Sequence, residues 1–319
     1  MKRAFVLLAL LVNAQTFHIL EKANSKTHQD ITRSAILNAA TKACEKVETF
    51  KKLVKTQGKM DETQIKACGN GTLKNFEAAI KIISRNNLMT DVKHPFSAKY
   101  HFDNEEFAEG KRLITTGIQN ITQLVARGRF DNARQKLGEI LHTLQDFYSH
   151  SNWIELGNTA PYTDLINPDK ELNNLADRDR ATCETNCANE NCGAKFLPGI
   201  TVLTSGYFGI KKPTGKCSHG GTLDFTTGIR RSWDGINKDH SDSSHGTKHN
   251  QAAEIAIEAS VQLLENIQEK LKKTGENNFL RLMGLHPEVP SDEWTTNSIP
   301  FTDFKDRYPE ATADISVQV

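Results

Sequence analysis

A short segment of the sequence, residues 141–153, carries two histidines and an aspartate in helical register. His142, Asp146 and His150 stand at positions i, i+4 and i+8, so on a helix they fall within an arc of roughly 80° on one face. The opposite face is apolar and holds Leu137, Ile140, Leu141, Leu144 and Tyr148. Imidazole and carboxylate groups one turn apart can bind the same metal ion. This spacing predicts a metal site, and the alternative interpretation is an ordinary solvated face.

The length of this segment limits how a metal could be held. Positions i and i+8 are roughly 12 Å apart along a helix axis, so His142 and His150 cannot bind one ion while the helix stays regular. Two arrangements remain open. Either the helix breaks near Ser149, or Asp146 bridges two ions held about 3.5 to 4 Å apart, as in two-metal phosphoesterases.

A site with several ions would need further ligands, and the sequence offers candidates in other segments. They are His28, Asp91, His101, His245 and His249. His28 and His249 lie on the apolar faces of their predicted helices, and His101 is flanked by aromatic residues. A single histidine at such a position is more often a core residue with satisfied hydrogen bonds, so each alone gives weak support for a metal site.

The elements that position these residues are predicted to be helices. Thr27 and Asp30 form the sequence pattern of a capping box, which marks the start of a helix. Apolar residues recur with a helical period over residues 73–84, 105–126, 131 to about 149, and about 246–273. We therefore predict an all-α fold.

A loop-rich insertion is predicted before the last of these helices, at about residues 157–245. It lacks a hydrophobic period of its own, so we interpret it as part of the helical domain. Four of the six cysteines lie in it: Cys183, Cys187, Cys192 and Cys217. In an oxidising compartment an even number favours disulfides that staple the insertion, and the alternative for the first three is a zinc–thiolate knuckle. We expect Cys44 to pair with Cys68.

The two ends of the chain differ from the rest. Lys2 and Arg3 precede a short apolar run that ends in small residues, which is typical of a secretory signal peptide, here residues 1–14, cleaved before Gln15. The run is shorter than the roughly 20 apolar residues of a transmembrane helix. We assign residues 15–285 to the helical domain and expect a poorly structured tail over 286–319. A secreted, extracellular chain would also suit the glycosylation sequons at Asn70 and Asn120.

The overall composition excludes some classes of function. The 319 residues include 40 Lys and Arg against 39 Asp and Glu, for a formal net charge of +1, with 37% hydrophobic and 25% charged residues. This balance excludes a nucleic-acid-binding protein that works by net charge, and it excludes a highly charged disordered chain. No specific nucleic-acid partner is therefore predicted.

Three lysines in the insertion suggest contact with a membrane surface. Lys211, Lys212 and Lys216 lie close together in the sequence and could contact anionic lipid headgroups or glycans. A solvated turn is the plainer alternative for so short a run.

Several longer strings resemble the N-terminal region of the von Willebrand factor A domain-containing protein 7 family. They are Thr27–Thr32, His101–Asn104, His142–Trp153, Leu203–Phe208, Gly215–Gly221 and Gly235–Asp239. The resemblance covers roughly residues 25 to 285. That region is similar in turn, more distantly, to the fungal heterokaryon-incompatibility protein Het-C and to zinc-dependent phospholipase C and single-strand nucleases.

The resemblance implies an all-helical domain that holds two or three zinc ions through histidine and aspartate ligands. At the matching positions the ligands would be His28, Asp91, His101, His142, Asp146, His150 and His249. Asp91 would act as a ligand or as a general base. The implied activity is that of a hydrolase, phospholipase C-like, on a phosphodiester, with phospholipid as the expected substrate and nucleotide as the alternative.

The sequence departs from the phospholipase pattern in ways that raise a second hypothesis. His150 follows Asp146 by four residues, where the phospholipases place that ligand six residues on. Gln15 at the predicted start replaces a tryptophan whose amine binds zinc, and Ala253 stands where a glutamate is usual. Residues 314–316 lie too near the end for the metal motif of a von Willebrand A domain, so we expect no complete A domain. The second hypothesis is a non-catalytic extracellular interaction module that retains the fold.

Overall fold

The chain folds mostly into helices. The computed structural model describes residues 24–53, 58–185, 194–221, 223–227 and 234–288. Within these ranges extended segments meet only in isolated bridges, and no regular strand is present. The predicted all-α class is confirmed. The predicted signal peptide and nearly all of the predicted tail lie outside the described residues, and the domain boundaries stay predictions.

The described residues form nine α-helices, and those that the sequence pattern predicted agree with it at most of their ends. Their bounds are α1 His28–Cys44, α2 Glu48–Lys51, α3 Glu62–Gly69, α4 Leu73–Lys93, α5 Ala98–His101, α6 Phe107–Ala126, α7 Phe130–His150, α8 His249–Lys272 and α9 Asn278–Leu282. Short 3-10 turns occupy Thr163–Ile166 and Gly246–Lys248. The main difference is α4, which continues to Lys93, beyond the predicted end at Ser84.

Helix α7 is the centre of the domain. It packs against α4 on one side and α6 on the other, and α8 and α1 complete its surroundings. Its C-terminal half, from Ile140 to His150, is buried on every face. The polar residues of that half must therefore find their partners inside the protein.

Two glycines let the neighbouring helices approach α7 closely. A Cβ atom added to Gly138 of α7 would lie 2.3 Å from the carbonyl oxygen of Ile83 on α4. One added to Gly117 of α6 would lie 2.3 Å from Cγ2 of Ile140 on α7. The contact at Gly138 brings the polar face of α4 to within hydrogen-bond reach of α7.

The predicted capping box starts α1. The Thr27 side chain accepts a hydrogen bond from the Asp30 backbone N–H, and the Asp30 carboxylate accepts one from the Thr27 N–H. This reciprocal pair satisfies N–H groups that the first turn leaves without helical partners. It also fixes His28, the first residue of α1.

The connection from α5 to α6 has an unusual backbone. Phe102, Asn104 and Glu105 have φ angles of 54°, 54° and 61°, a region that residues with side chains seldom adopt. Such strain persists only where the surroundings hold it. Here Glu105 is held by Ser205, Thr204 and Lys216 of the insertion. The residue fixed within this strained connection is Asp103.

The insertion at residues 157–245 is loop-rich in its described part, as predicted, and is tied to the helices. One disulfide links Cys183 to Cys217, and the predicted pair Cys44–Cys68 is confirmed. Buried ion pairs join Lys216 to Glu105 at 2.7 Å and Lys238 to Glu155 at 3.3 Å. Cys187 and Cys192 lie outside the described residues.

None of the described helices combines the length and the apolar content that a membrane-spanning helix needs.

Candidate metal centre

Four helices bring together the residues that we call the first cluster. It consists of His28 of α1, Asp91 of α4, His101 of α5, and His142 and Asp146 of α7. All are at most 4% exposed. Five of the seven predicted ligands therefore converge from segments far apart in the sequence.

Asp146 lies at the middle of the first cluster. Its Oδ1 is 3.0 Å from His28 Nε2, and its Oδ2 is 2.9 Å from His101 Nδ1 and 3.0 Å from His142 Nε2. Asp91 Oδ1 lies on the other side, 3.3 Å from His142 Nε2. Each oxygen of the Asp146 carboxylate therefore faces a different set of imidazole nitrogens.

Hydrogen bonds behind the first cluster set the orientation of its three histidines. The Nδ1–H of His28 donates to Gln145 Oε1 at 2.7 Å, and that of His142 donates to Asn87 Oδ1 at 3.2 Å. The Nε2–H of His101 donates to the carbonyl of His94 at 2.9 Å. In a neutral imidazole the second nitrogen then carries a lone pair. Each of these lone pairs points at Asp91 or Asp146.

A polar network holds Gln145 and Asn87 in place. Gln145 Nε2 donates to the hydroxyls of Thr32 and Ser260 at 3.1 and 3.3 Å. Asn87 Nδ2 donates to Thr32 and to Gln145 Oε1, both at 3.0 Å. Because both amide nitrogens are used in this way, both amide oxygens face the histidines. Such outer-shell partners are typical of metal-binding histidines.

A second cluster lies beside the first and consists of Asp103, His150, His219 and Asp239. His150 Nδ1 is 3.3 Å from Asp103 Oδ1, and its Nε2 is 3.2 Å from Asp239 Oδ1. His219 Nε2 lies 3.9 Å from Asp239 Oδ2. The two clusters adjoin, since His150 Nδ1–H donates to the backbone oxygen of His101 at 2.8 Å.

The spacing of these atoms fits metal ligands. Bonds of 2.0 to 2.2 Å to a tetrahedral zinc place its ligand atoms about 3.4 Å apart. In the first cluster, the atoms of His142, His101 and Asp91 are separated by 3.2, 3.3 and 3.9 Å. Groups able to hold an ion form in both clusters: His28 with His142 and Asp146, Asp91 with His101 and His142, and Asp103 with His150 and His219.

Buried polar atoms that make no hydrogen bond also indicate a metal site. Within the described part of the chain they include Oδ1 of Asp103, Oδ1 of Asp146 and Nε2 of His219. A buried acceptor without a donor destabilises a fold unless a cation compensates it. Residue types, spacing and these atoms therefore fit one metal ion or more in each cluster.

The electrostatics of both clusters favour bound positive charge. Burial alone would lower the pKa of His142, but Asp146 and Asp91 together raise it to about 10. Burial would likewise lower the pKa of His150, and the neighbouring carboxylates raise it well above its usual range. Burial would raise the pKa of Asp146, yet His142, His150 and His28 hold it well below normal.

Helix α7 stays regular to its last residue, His150, where the chain becomes extended at Ser151. A break near Ser149 is therefore not what separates the two histidines of the original motif. His142 belongs to the first cluster and His150 to the second, as expected for side chains two turns apart.

His249 occupies a different position from the other predicted ligands. Its Nδ1–H donates to the carbonyl of Lys238 at 2.7 Å, and its Nε2 accepts the backbone N–H of Lys26 at 2.8 Å. The structure does not bring it into either cluster. Its role as a ligand stays a prediction.

Sequence reasoning missed three residues of the second cluster: Asp103, His219 and Asp239. All three belong to strings that carried the family resemblance. Neither a helical period nor a spacing marked them, because Asp103 follows a strained turn and the other two lie in the loop-rich insertion. The insertion therefore supplies part of the site as well as covering the helices.

A buried ion pair anchors the segment next to Asp239. Lys238 donates to Glu155 Oε1 at 3.3 Å and to the carbonyl oxygens of Ser151 and Ile236. His245 Nδ1 lies 2.7 Å from the same Glu155 oxygen. Burial would raise the pKa of Glu155, but Lys238 and His245 lower it to about 2.

A cavity of about 460 Å³ lies beside the first cluster. Its lining includes Thr90, the residue before Asp91, and His94, whose carbonyl holds His101. Lys93 and Arg129 also line it, and neither pairs with a carboxylate among the described residues. The cavity therefore combines cations with the segment that directly precedes and follows Asp91.

Comparison with known proteins places the chain in a family. The family model described as the VWA7 N-terminal domain matches residues 59–280. The chain belongs to the VWA7 N-terminal domain family. The von Willebrand factor A domain-containing protein 7 of Homo sapiens is 36% identical over 286 residues, and that of Mus musculus is 35% identical over 285 residues. No solved structure matches the chain.

The match to the VWA7 N-terminal domain covers most of the site. It includes every residue of the two clusters except His28. The alignments span 84% of this chain but 31% of the curated relatives. The chain therefore corresponds to about a third of those proteins' length.

The hydrogen bonds behind the histidines generate a first prediction. Replacing Gln145 with Met keeps its shape but removes the acceptor of His28 Nδ1–H, so zinc affinity should fall about 10- to 100-fold. Competition with a fluorescent zinc indicator measures this. Thr143→Ala, a buried change on the same helix outside both clusters, should leave the affinity unchanged. Equal affinities for Gln145→Met and the parent chain would contradict the assigned orientation of His28.

The Glu155 carboxylate generates a prediction about pH. Because its folded pKa of about 2 lies below the ordinary 4.5, its stabilising effect is present above about pH 4.5 and is lost as the pH falls toward 2. The free energy of unfolding should drop by up to about 3 kcal/mol over that range. Urea unfolding at several pH values measures it. In Glu155→Gln the free energy of unfolding should fall less steeply over this pH range. In Glu109→Gln, a change on the exposed face of α6, it should fall as in the parent chain. A fall in Glu155→Gln equal to that of the parent chain would refute the argument.

Proposed function

We propose that this chain is a zinc-dependent phosphodiester hydrolase, phospholipase C-like, that acts on phospholipid. The observation that carries the proposal is the pair of adjoining buried clusters, in which imidazole lone pairs face carboxylate oxygens. A zinc ion held there would lower the pKa of a water molecule to about 7 and would polarise a phosphoryl oxygen. The zinc-dependent phospholipases and nucleases, which the sequence motifs resemble more distantly, are expected to use the same chemistry.

The donor set supports zinc. Neutral imidazole with carboxylate suits zinc among divalent ions, although manganese and iron accept similar ligands. Two or three ions match the number of ligand groups in the two clusters. Oxygen-only sites, which calcium and magnesium prefer, do not occur in either cluster.

The two carboxylates of the first cluster would have different roles in the reaction. Asp146 presents one oxygen to His28 and the other to His101 and His142, so it would hold metal together with these three histidines. Asp91 Oδ1 lies 3.3 Å from His142 Nε2, a distance that suits a metal ligand. We propose Asp91 as ligand or general base, as the family resemblance implies.

The cavity beside the first cluster supplies an approach for an anionic substrate. Lys93 and Arg129 in its lining would attract the charge of a phosphodiester, and Thr90 lies directly before Asp91. Substrate would have to displace the side chains that now cover the cluster. This requirement favours a movement of α5 together with the connection that precedes it, since these carry His101 and His94.

A second candidate is a non-catalytic module in which metal stabilises the fold. It is favoured by the burial of the first cluster, where no member is more than 4% exposed. Structural zinc sites are closed in this way, while catalytic sites keep a position open to substrate. In this case the site would bind zinc and hydrolyse nothing.

Secretion belongs to the same proposal. The disulfides Cys44–Cys68 and Cys183–Cys217 are typical of an oxidising compartment. Asn70 is exposed at the C-terminal end of α3, which suits a glycan, and Asn120 is half-buried on α6. We propose that the chain is secreted, with glycosylation at Asn70.

Replacing Asp146 with Asn tests the hydrolase. The change removes the charge that faces three histidines, so both zinc content and hydrolysis of the soluble substrate bis(p-nitrophenyl) phosphate should fall at least about 100-fold. Circular dichroism checks that the variant folds, and Asp91→Asn serves as a second variant. Asp131→Asn is the same change at an exposed position of α7 and should keep full activity.

The outcomes separate the two candidates. Hydrolysis retained by folded Asp146→Asn would overturn the assignment of the site. A parent chain that binds zinc, loses thermal stability on chelation and hydrolyses no phosphodiester would establish the non-catalytic module instead.

A further inference from the structure

Exposed large hydrophobic side chains gather in one place on the surface. Within the described residues they are Phe96, Ile210 and Phe225, which are 66%, 78% and 48% exposed. Apolar residues scattered singly are ordinary on a protein surface, whereas a group in one place marks an interaction site. We call these three residues the apolar patch.

The loop at residues 207–212 brings the members of the apolar patch together. The N–H of Phe225 donates to the carbonyl of Gly209 at 2.8 Å, which places Phe225 beside Ile210. Phe96, between α4 and α5, has its ring centroid 6.0 Å from that of Phe208. All three therefore surround Gly209.

Positive charge adjoins the apolar patch. Lys211 follows Ile210 directly, is exposed, and pairs with no carboxylate among the described residues. Lys212 is half-buried and donates to the carbonyl of Lys216 at 2.7 Å. Lys216 itself is buried against Glu105, so it is not available to a surface ligand. Lys211 is thus the free cation of this run.

We propose that the apolar patch and Lys211 dock on the surface of a lipid bilayer that contains anionic headgroups. Apolar side chains of this kind enter the boundary between headgroups and acyl chains, while a neighbouring lysine contacts the negative headgroups. A stable protein interface buries about 800 Å² on each partner and is depleted of lysine at its centre. Three protruding side chains with a lysine beside them suit a bilayer better.

The patch lies close to the second cluster. The ring centroid of Phe208 is 5.5 Å from that of His219, and the N–H of His219 donates to the carbonyl of Tyr207 at 2.8 Å. A bilayer on the patch would therefore lie about one aromatic side chain from the second cluster. The inference deepens the proposed function and rests on it for the substrate, a phospholipid presented at the bilayer surface. Docking itself requires no turnover.

Vesicle sedimentation tests the docking surface with the full chain. The parent chain should bind vesicles of phosphatidylcholine with phosphatidylserine. The combined substitutions Phe96→Ser, Ile210→Ser and Phe225→Ser should weaken this binding at least about tenfold, and folding is spared because all three side chains are exposed. Lys211→Glu should weaken it about fivefold or more, and only when phosphatidylserine is present.

Lys273→Glu provides the matched control. It makes the same charge change just beyond the far end of α8, about 36 Å along the helix from His249, and should leave vesicle binding unchanged. Sedimentation equilibrium on the parent and triple variant reports any self-association through the patch.

The outcomes distinguish this inference from the proposed function. Absence of vesicle binding by the parent chain, equal binding by the triple variant, or a dimer that the triple variant dissociates would overturn the docking surface. If docking fails in this way while the soluble phosphodiester is hydrolysed, the docking surface is wrong and the proposed hydrolase function is retained. If the parent chain and Asp146→Asn both bind vesicles but the parent releases no headgroup, the docking surface is retained and the proposed hydrolase function is wrong.

Discussion

The structure depends on the burial of two carboxylates, Asp91 and Asp146, among histidines whose lone pairs face them. Negative charge in a protein interior must be compensated, and acceptors that face acceptors repel unless a proton or a metal ion lies between them. In the first cluster, the need for compensating positive charge raises the pKa of His142 and lowers that of Asp146. A divalent cation would satisfy it while leaving every histidine neutral.

The remaining parts of the domain act to hold this arrangement. The close contact at Gly138 brings Asn87 of α4 to His142, and the capping box at Thr27 fixes His28. The insertion closes the other side, where its buried pairs Lys216–Glu105 and Lys238–Glu155 hold the loops that carry His219 and Asp239. Buried ion pairs add little stability relative to apolar side chains of the same volume, although losing one partner's charge is costly, so the main contribution of these pairs is to the position of the loops.

Local rules predicted much of the fold. The helical class, the start of α1 and the course of α8 follow from capping and from apolar period, and the His142–Asp146 pair follows from spacing on one face. The predicted end of α4 was wrong because the apolar period is lost after Ser84. Asn87, Thr90 and Asp91 are buried polar residues. A search for periodic apolar residues does not detect such buried polar positions. Asp103, His219 and Asp239 of the second cluster were missed for a related reason, since contacts between a strained turn and a distant loop leave no periodic signal. Asp103 and His219 became visible only when the chain was folded.

The measurement that tests the central claim most directly is elemental analysis by mass spectrometry of the full chain, purified without chelator or nickel. Two adjoining clusters predict two or three zinc ions per chain, retained through gel filtration because the ligands are buried and oriented. Fewer than two bound metal ions per folded chain would contradict the account, since at least one cluster would then hold its buried carboxylates without a metal.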